Sequence, residues 1–355
     1  MELIINKTQN PRQKPDYSNL GFGNYFTDHM MTMEYDEGQG WHNAQIQPYG
    51  PIPLEPSANV FHYGQETFEG LKAYKTKDGK ITLFRPRENF LRMNRSNERL
   101  CMPAIDVDFA LESLKALIML DSEWIPTEKE TSLYIRPFMI GTEATLGVKI
   151  SSSYLFAIIL SPVGTYYPEG MKPTNIYVES KYIRAAVGGT GAAKSAGNYA
   201  ASLKPLKEAK EKGYSQVLFL DGIERKYVEE VGTSNAFFVI DSELYTTPLE
   251  SGTILAGITR DSTIAIAESQ GIKVNEVPLA IDDIFEFAAQ GRLEEAFATG
   301  TAAVISPIGQ LSYNGNDIAI SGGEIGKITQ SLYDSLIAIQ YGDAIDPYGW
   351  VEKVN

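Results

Sequence analysis

Gly188-Gly189-Thr190-Gly191-Ala192-Ala193-Lys194-Ser195-Ala196-Gly197-Asn198-Tyr199 is the stretch on which the reading of this chain turns. One amine, Lys194, stands among residues so small that a flat ligand can approach it closely. A nucleotide phosphate loop would need two glycines five positions apart followed at once by Lys and Ser or Thr. Here Lys194 follows Ala193 and the glycines crowd together, so that reading is rejected. A lysine nucleophile fits better. It must be neutral to attack an aldehyde and then act as the base that moves a proton between carbons, and partial desolvation favours both tasks.

Two downstream segments supply what such a lysine needs. In Glu229-Glu230-Val231-Gly232-Thr233-Ser234-Asn235 a carboxylate can face a pyridine nitrogen and keep it protonated. Glu230 is the candidate and Glu229 its competitor, because successive strand residues face opposite ways. Leu255-Ala256-Gly257-Ile258-Thr259-Arg260 leads into a helix whose first N–H groups, at Ile258 and Thr259, can hold an anion. The turn Ala298-Thr299-Gly300-Thr301-Ala302-Ala303 adds amides and the Thr301 hydroxyl, and Arg92 can bring a cation. Lysine, acid and anion site together imply pyridoxal phosphate.

Composition narrows the rest. A chain of 355 residues exceeds one ordinary core, so two domains are expected. A net charge of −14 disfavours nucleic acid, which needs a clustered basic face. The single cysteine, Cys101, excludes an internal disulfide framework and reads as a small core residue at a helix end. His29, His42 and His62 lie in aromatic surroundings without ligand spacing, so they read as packed or hydrogen-bonded and no metal is expected. No apolar run is long enough for a membrane span, and Met1 to Asn24 shows no secretory pattern, which points to the cytoplasm.

Leu71–Tyr74 and Ile81–Phe84 read as a hairpin around Lys77-Asp78-Gly79. Pro86 opens a helix running to Leu100, and a second helix, capped by Asp108, runs to Ser122. Ser132–Met139, Tyr154–Leu160, Asn175–Ser180, Gln216–Leu220 and Ala236–Ile240 read as strands. A polar helix ended by Gly213 and helices over Ile258–Ser269, Ile281–Ala289 and Ile325–Tyr341 complete a mixed α and β chain. The Gly- and Pro-rich stretch from Ser161 to Pro173 marks the boundary: 1–162 as a small domain, 163–174 as a connecting loop and 175–355 as a large domain carrying the lysine.

With these motifs in order, the chain resembles the branched-chain amino acid aminotransferases of the fold type IV pyridoxal phosphate enzymes. The resemblance runs from Phe22 to Gly342 through Phe22-Gly23-Asn24-Tyr25-Phe26-Thr27-Asp28-His29-Met30, His62-Tyr63-Gly64-Gln65-Glu66-Thr67-Phe68-Glu69-Gly70, Phe84-Arg85-Pro86, Arg92-Met93-Asn94-Arg95-Ser96 and Ser132-Leu133-Tyr134-Ile135-Arg136-Pro137. It implies an α+β fold with a smaller N-terminal domain and a larger C-terminal one holding a pseudo-barrel. It also implies ping-pong transfer of an amino group between leucine, isoleucine or valine and 2-oxoglutarate, in a homodimer.

The resemblance further implies that Lys194 carries the cofactor as a Schiff base, Tyr199 bonds its phenolic oxygen and Glu230 meets its ring nitrogen. Arg92, Ile258, Thr259 and Thr301 would hold the phosphate, with Thr233 beside the ring. Thr301, Ala302 and Tyr63 would receive the substrate carboxylate. Phe26, Phe68 and Tyr134 would line an apolar pocket, with Arg136 and Tyr63 reaching a distal carboxylate. The segment Val163-Gly164-Thr165-Tyr166-Tyr167-Pro168 resembles the family's interdomain loop. Where some relatives carry a C-x-x-C pair, this chain has Ala303-Val304-Ile305-Ser306. A D-amino acid aminotransferase or an aminodeoxychorismate lyase of the same fold is the alternative.

Overall fold

The computed structural model describes residues 1–128, 130–164 and 171–354; most of the 163–168 loop segment therefore lies outside the described residues. Packing divides the chain into two compact units. One comprises Met1–Pro168, Ala193–Ala196 and Ile339–Asn355, the other Glu169–Ala192 and Gly197–Ala338.

The first unit contains β1 (Ile4–Ile5), β2 (His29–Asp36), β3 (Gly40–Pro48), α1 (Asn59–Tyr63), β4 (Glu66–Phe68), β5 (Leu71–Lys75), β6 (Ile81–Phe84), α2 (Pro86–Arg99), α3 (Val107–Leu120), β7 (Ser132–Gly141) and β8 (Ser153–Val163). Its sheet runs β1-β3-β2-β8-β7-β5-β6, with β4 paired to β7. Met31, Met33, Leu83, Leu133 and Phe156 form a core with Phe90 and Met93 of α2 and Leu114 and Leu117 of α3. Pro86 begins α2, where its missing N–H costs no helical bond. The cap of α3 is Asp106 rather than Asp108: its carboxylate accepts from the Phe109 N–H at 3.1 Å, the three-residue reach of a capping side chain.

The second unit contains β9 (Thr174–Glu179), α4 (Ala196–Glu211), β10 (Gln216–Leu220), β11 (Val228–Val231), β12 (Ser234–Ile240), β13 (Glu243–Thr246), α5 (Ile258–Ser269), β14 (Val274–Glu276), α6 (Ile281–Ala289), β15 (Leu293–Gly300), β16 (Val304–Tyr313), β17 (Asn316–Ala319) and α7 (Lys327–Gln340). Strands β11-β10-β9-β16-β15-β12 follow one another, and β12 pairs back to β11. The six strands thus close on themselves, which removes sheet edges and makes the pseudo-barrel. Ile176, Leu218, Val231, Phe238, Ala298 and Leu311, one from each of these strands, share one apolar cluster.

Two short segments depart from the contiguous domains expected from the sequence. The last strand, β18 (Val351–Lys353), pairs antiparallel with β6 in the first unit. Ala193–Ala196 also packs there: Ser195 bridges Thr67, and the Lys194 carbonyl accepts from the Phe68 N–H at 3.1 Å. The lysine therefore belongs with the first unit, although its neighbours in sequence belong with the second.

Cys101 is not a core residue. It follows α2 in a left-handed conformation (φ 56°), which turns the chain and leaves the thiol exposed. His29 is buried as expected, its Nδ1 2.6 Å from the Asp121 carboxylate and its Nε2 accepting from the Thr8 N–H at 2.9 Å.

Glu295, buried on β15, caps α7 by accepting from the N–H groups of Ile328 (2.9 Å) and Thr329 (2.7 Å) and from the Thr329 hydroxyl (2.7 Å). Glu295→Ala should lower the unfolding free energy in urea titration by about 2 kcal/mol, because it orphans those donors.

Candidate active site

The lysine is fixed by its own peptide groups. Its N–H donates to the Ser96 hydroxyl of α2 at 2.9 Å and its carbonyl accepts from Phe68 on β4. The half-buried side chain lies with Nζ 4.9 Å from the centre of the Phe68 ring. Arg136 approaches the same ring at 4.8 Å, and its Nη2 donates to the Tyr134 hydroxyl at 3.1 Å. Its Nε is buried with no hydrogen-bond partner among the described residues. Tyr134 meets Phe22 edge to face at 4.9 Å, and its hydroxyl lies so close to Gly70 that a Cβ there would clash at 2.1 Å. Phe68, Tyr134, Arg136 and Lys194 thus form one group.

Arg92 is buried in α2, with Nε and Nη2 each 2.8 Å from a different oxygen of Glu69. Burial alone would push the Glu69 carboxyl up, but the charge and hydrogen bonds of Arg92, with smaller help from Lys194 and Asn89, hold it below the ordinary range. Two further expected members make contacts of their own. Phe26 stacks on Tyr49 at 5.0 Å, and Tyr63, 40% exposed on α1, donates its hydroxyl to the Leu146 carbonyl.

In the second unit Glu230 is buried and surrounded by donors. Oε1 accepts from the Leu255 N–H at 2.8 Å and from Asn235 Nδ2 at 3.4 Å, while Oε2 lies 3.2 Å from Arg184 Nε in an ion pair. Register places Glu230 opposite Asn235, and Asn235 opposite Thr299, in one row across β11, β12 and β15. Thr299 Oγ1 is buried with no partner among the described residues. Asn235 also donates to the Leu255 carbonyl at 3.0 Å, tying this row to the segment that opens α5.

No side chain caps α5, so its first N–H groups have no partner within the helix. Gly257 precedes it, and a Cβ there would lie 2.0 Å from Asn235 Oδ1. Arg260 turns away, its Nη2 donating to the Thr247 carbonyl at 2.9 Å and to Glu276. Thr259 is buried and Ile258 half-buried at the helix start. Thr301 and Ala302 lie half-buried in the turn between β15 and β16, Tyr199 in the first turn of α4, and Thr233 exposed in the turn between β11 and β12.

Glu229 is buried too, and its Oε2 has no hydrogen-bond partner among the described residues. Burial pushes its carboxyl up to about 7, against the opposing pull of Thr253 and Arg184. Sequence reasoning singled out neither Ser96, Arg184 nor Thr299. The partner of Ser96, and Thr253 and Glu230 among those of Arg184, stand far away in sequence, and only the hydroxyl of Thr299 beside Gly300 hinted at its place.

The model of the amino-transferase class IV family matches residues 66–311. The chain belongs to that family. Branched-chain-amino-acid transaminase 1 of Bacillus subtilis is 53% identical to it over 349 residues, 98% of each chain. The Escherichia coli branched-chain amino acid aminotransferase superposes with a TM-score of 0.75 at 27% identity, over 92% of this chain and 99% of that one. The T.th. branched-chain amino acid aminotransferase, complexed with N-(5'-phosphopyridoxyl)-L-glutamate, gives 0.72 at 26% identity, over 91% and 98%.

Two outcomes follow from this class IV geometry. Gly257→Ala should displace Asn235 and destabilise the protein by about 2 kcal/mol in urea titration. The raised Glu229 carboxyl contributes stability that is present below about 4.5 and lost as the pH rises through about 7. Glu229→Gln, uncharged throughout, should therefore gain in melting temperature relative to wild type between pH 5 and pH 8.

Proposed function

We propose that this class IV aminotransferase is a branched-chain amino acid aminotransferase. It transfers the amino group of L-leucine, L-isoleucine or L-valine to 2-oxoglutarate, giving the 2-oxo acid and L-glutamate in two half-reactions. The observation that carries this is the group around Lys194: an amine beside an aromatic wall of Phe68 and Tyr134, with the guanidinium of Arg136 laid on that wall and its buried Nε short of an acceptor. Such a wall accepts a hydrocarbon side chain, and the guanidinium can take the distal carboxylate of glutamate.

The residues fit pyridoxal 5'-phosphate. Glu230 is an acceptor ringed by donors and suits a protonated ring nitrogen, and the uncapped start of α5 suits a phosphate. When bound, the cofactor supplies the electron sink that stabilises negative charge at the substrate α-carbon. Lys194 Nζ would hold it and move the proton at that carbon in both half-reactions. Glu230 would keep the ring nitrogen protonated, and Tyr199 would bond the phenolic oxygen. Ile258, Thr259 and Thr301 would hold the phosphate, with Arg92, whose Nε and Nη2 also bind Glu69, supplying the cation. Thr233 would flank the ring, and Thr301, Ala302 and Tyr63 would receive the α-carboxylate. Phe26, with Phe68 and Tyr134, would complete the apolar wall.

We also infer a homodimer in the cytoplasm. Supporting the dimer, Phe61, Leu146, Val148 and Ile150 are 61%, 67%, 85% and 58% exposed. Among the described residues no helix is long and apolar enough to cross a membrane.

The visible spectrum tests the reading directly. A yellow band that leucine bleaches and 2-oxoglutarate restores is expected, whereas a band answering only to a D-amino acid would move the protein to the sister activity. Lys194→Ala should lower turnover about a thousandfold or more. Glu230→Ala should cripple turnover while Glu229→Ala leaves most of it. Arg136→Met should cut kcat/KM for glutamate by about tenfold or more, one charge-assisted hydrogen bond, and leave leucine within about threefold.

A further inference from the structure

Arg184 lies in none of the motifs that carry the function, yet it is 8% exposed and three backbone segments meet on it. Its Nη2 donates to the carbonyl of Gly191 at 3.2 Å and to the carbonyl of Thr253, while its Nε stands 3.2 Å from Glu230 Oε2. Gly191 runs hard against Thr253: a Cβ on Gly191 would lie 2.4 Å from the Thr253 carbonyl oxygen. The loop three residues before Lys194, the segment before α5 and strand β11 are therefore pinned by one guanidinium. Nη2 holds both carbonyls, while Nε, without a hydrogen-bond partner among the described residues, faces the carboxylate as an ion pair, a spread that an ammonium cannot match.

We propose that Arg184 is a positioning residue for the transamination, making Glu230, and not its neighbour Glu229, the carboxyl presented to the cofactor nitrogen while tying the lysine loop to the segment before α5. This rests on the reading of Glu230 as the partner of that nitrogen. Two adjacent buried carboxyls cannot both ionise cheaply. The ion pair and the Leu255 N–H go to Glu230, whereas Glu229 keeps an oxygen with no hydrogen-bond partner among the described residues. The charged groups acting on Glu229 are Arg184, which favours its anion, and Glu230 and Asp221, which oppose it; the balance with burial leaves its carboxyl raised.

The test uses the holoenzymes of Arg184→Lys, Arg184→Met, Glu230→Gln and Glu229→Gln. Three properties are read: cofactor loss on dialysis, the pH midpoint of the visible band, and melting temperature. Arg184→Met should lose cofactor about tenfold faster or more, the worth of one charge-assisted hydrogen bond, and should shift the visible midpoint in the same direction as Glu230→Gln. Arg184→Lys, which keeps the charge without the fork, should recover the melting temperature and only part of the cofactor retention. Glu229→Gln should leave the midpoint and retention close to wild type.

Wild-type retention and midpoint in Arg184→Lys would overturn the proposal, as would Arg184→Met lowering only the melting temperature. If Arg184→Met does not fold, the lysine variant decides alone. A shifted midpoint in Glu230→Gln with none in either arginine variant would overturn the role of Arg184 and leave the reading of Glu230 standing. No shift in Glu230→Gln would overturn both.

Discussion

A carboxylate removed from water must find donors or give up its charge, and that demand fixes much of both units. Glu69 meets it with a bidentate Arg92, Asn89 at 2.8 Å and the Gly70 N–H at 3.2 Å. The positions of those side chains on α2 follow from the acid they serve. Glu295 meets it at the start of α7, where orphan N–H groups need an acceptor as much as the acid needs donors. Glu230 meets it with Arg184, Leu255 and Asn235. Glu229 finds too little, and its carboxyl rises toward neutrality. Of two adjacent acids with the same side chain, the surroundings make one an acceptor for a cationic partner and leave the other harder to ionise.

The elements whose signals are local were legible in the sequence. Ile258–Ser269 and Ile281–Ala289 carry helical periodicity, and Lys77-Asp78-Gly79 carries turn chemistry; α5, α6 and the β5–β6 hairpin lie there. Strand β2 was not legible, because His29 to Met33 is buried on both faces and shows no alternation. Pro307 and Gly309 hid β16 in the same way, although its neighbours accommodate both residues. Lys194 and Glu230 stood out because small or polar residues flank them. Ser96 and Arg184 did not: their importance lies in contacts with Lys194, Gly191, Thr253 and Glu230, which only the folded chain assembles. The placing of Lys194 with the first unit rests on the same kind of contact: its N–H donates to the Ser96 hydroxyl and its carbonyl accepts from the Phe68 N–H, both about a hundred positions away or more.

The proposed activity asks one surface to take a hydrocarbon in one half-reaction and a carboxylate in the other, and Arg136 shows how a single side chain meets both demands. Had an acid neutralised Arg136, a substrate carboxylate would have to displace it. The guanidinium instead lies on the Phe68 ring at 4.8 Å and near the Tyr134 ring at 5.4 Å, contacts worth about 0.5–2 kcal/mol each and indifferent to which substrate is present. Its flat face stays apolar toward an aliphatic chain, while the Nε edge, buried and without a partner among the described residues, still lacks an acceptor. Glu66 is the acid whose charge Arg136 influences, and burial pushes its carboxyl up against the pull of that arginine, which weakens its competition for the guanidinium. An aromatic anchor in place of an acidic one therefore keeps the cation ordered for leucine and available for glutamate.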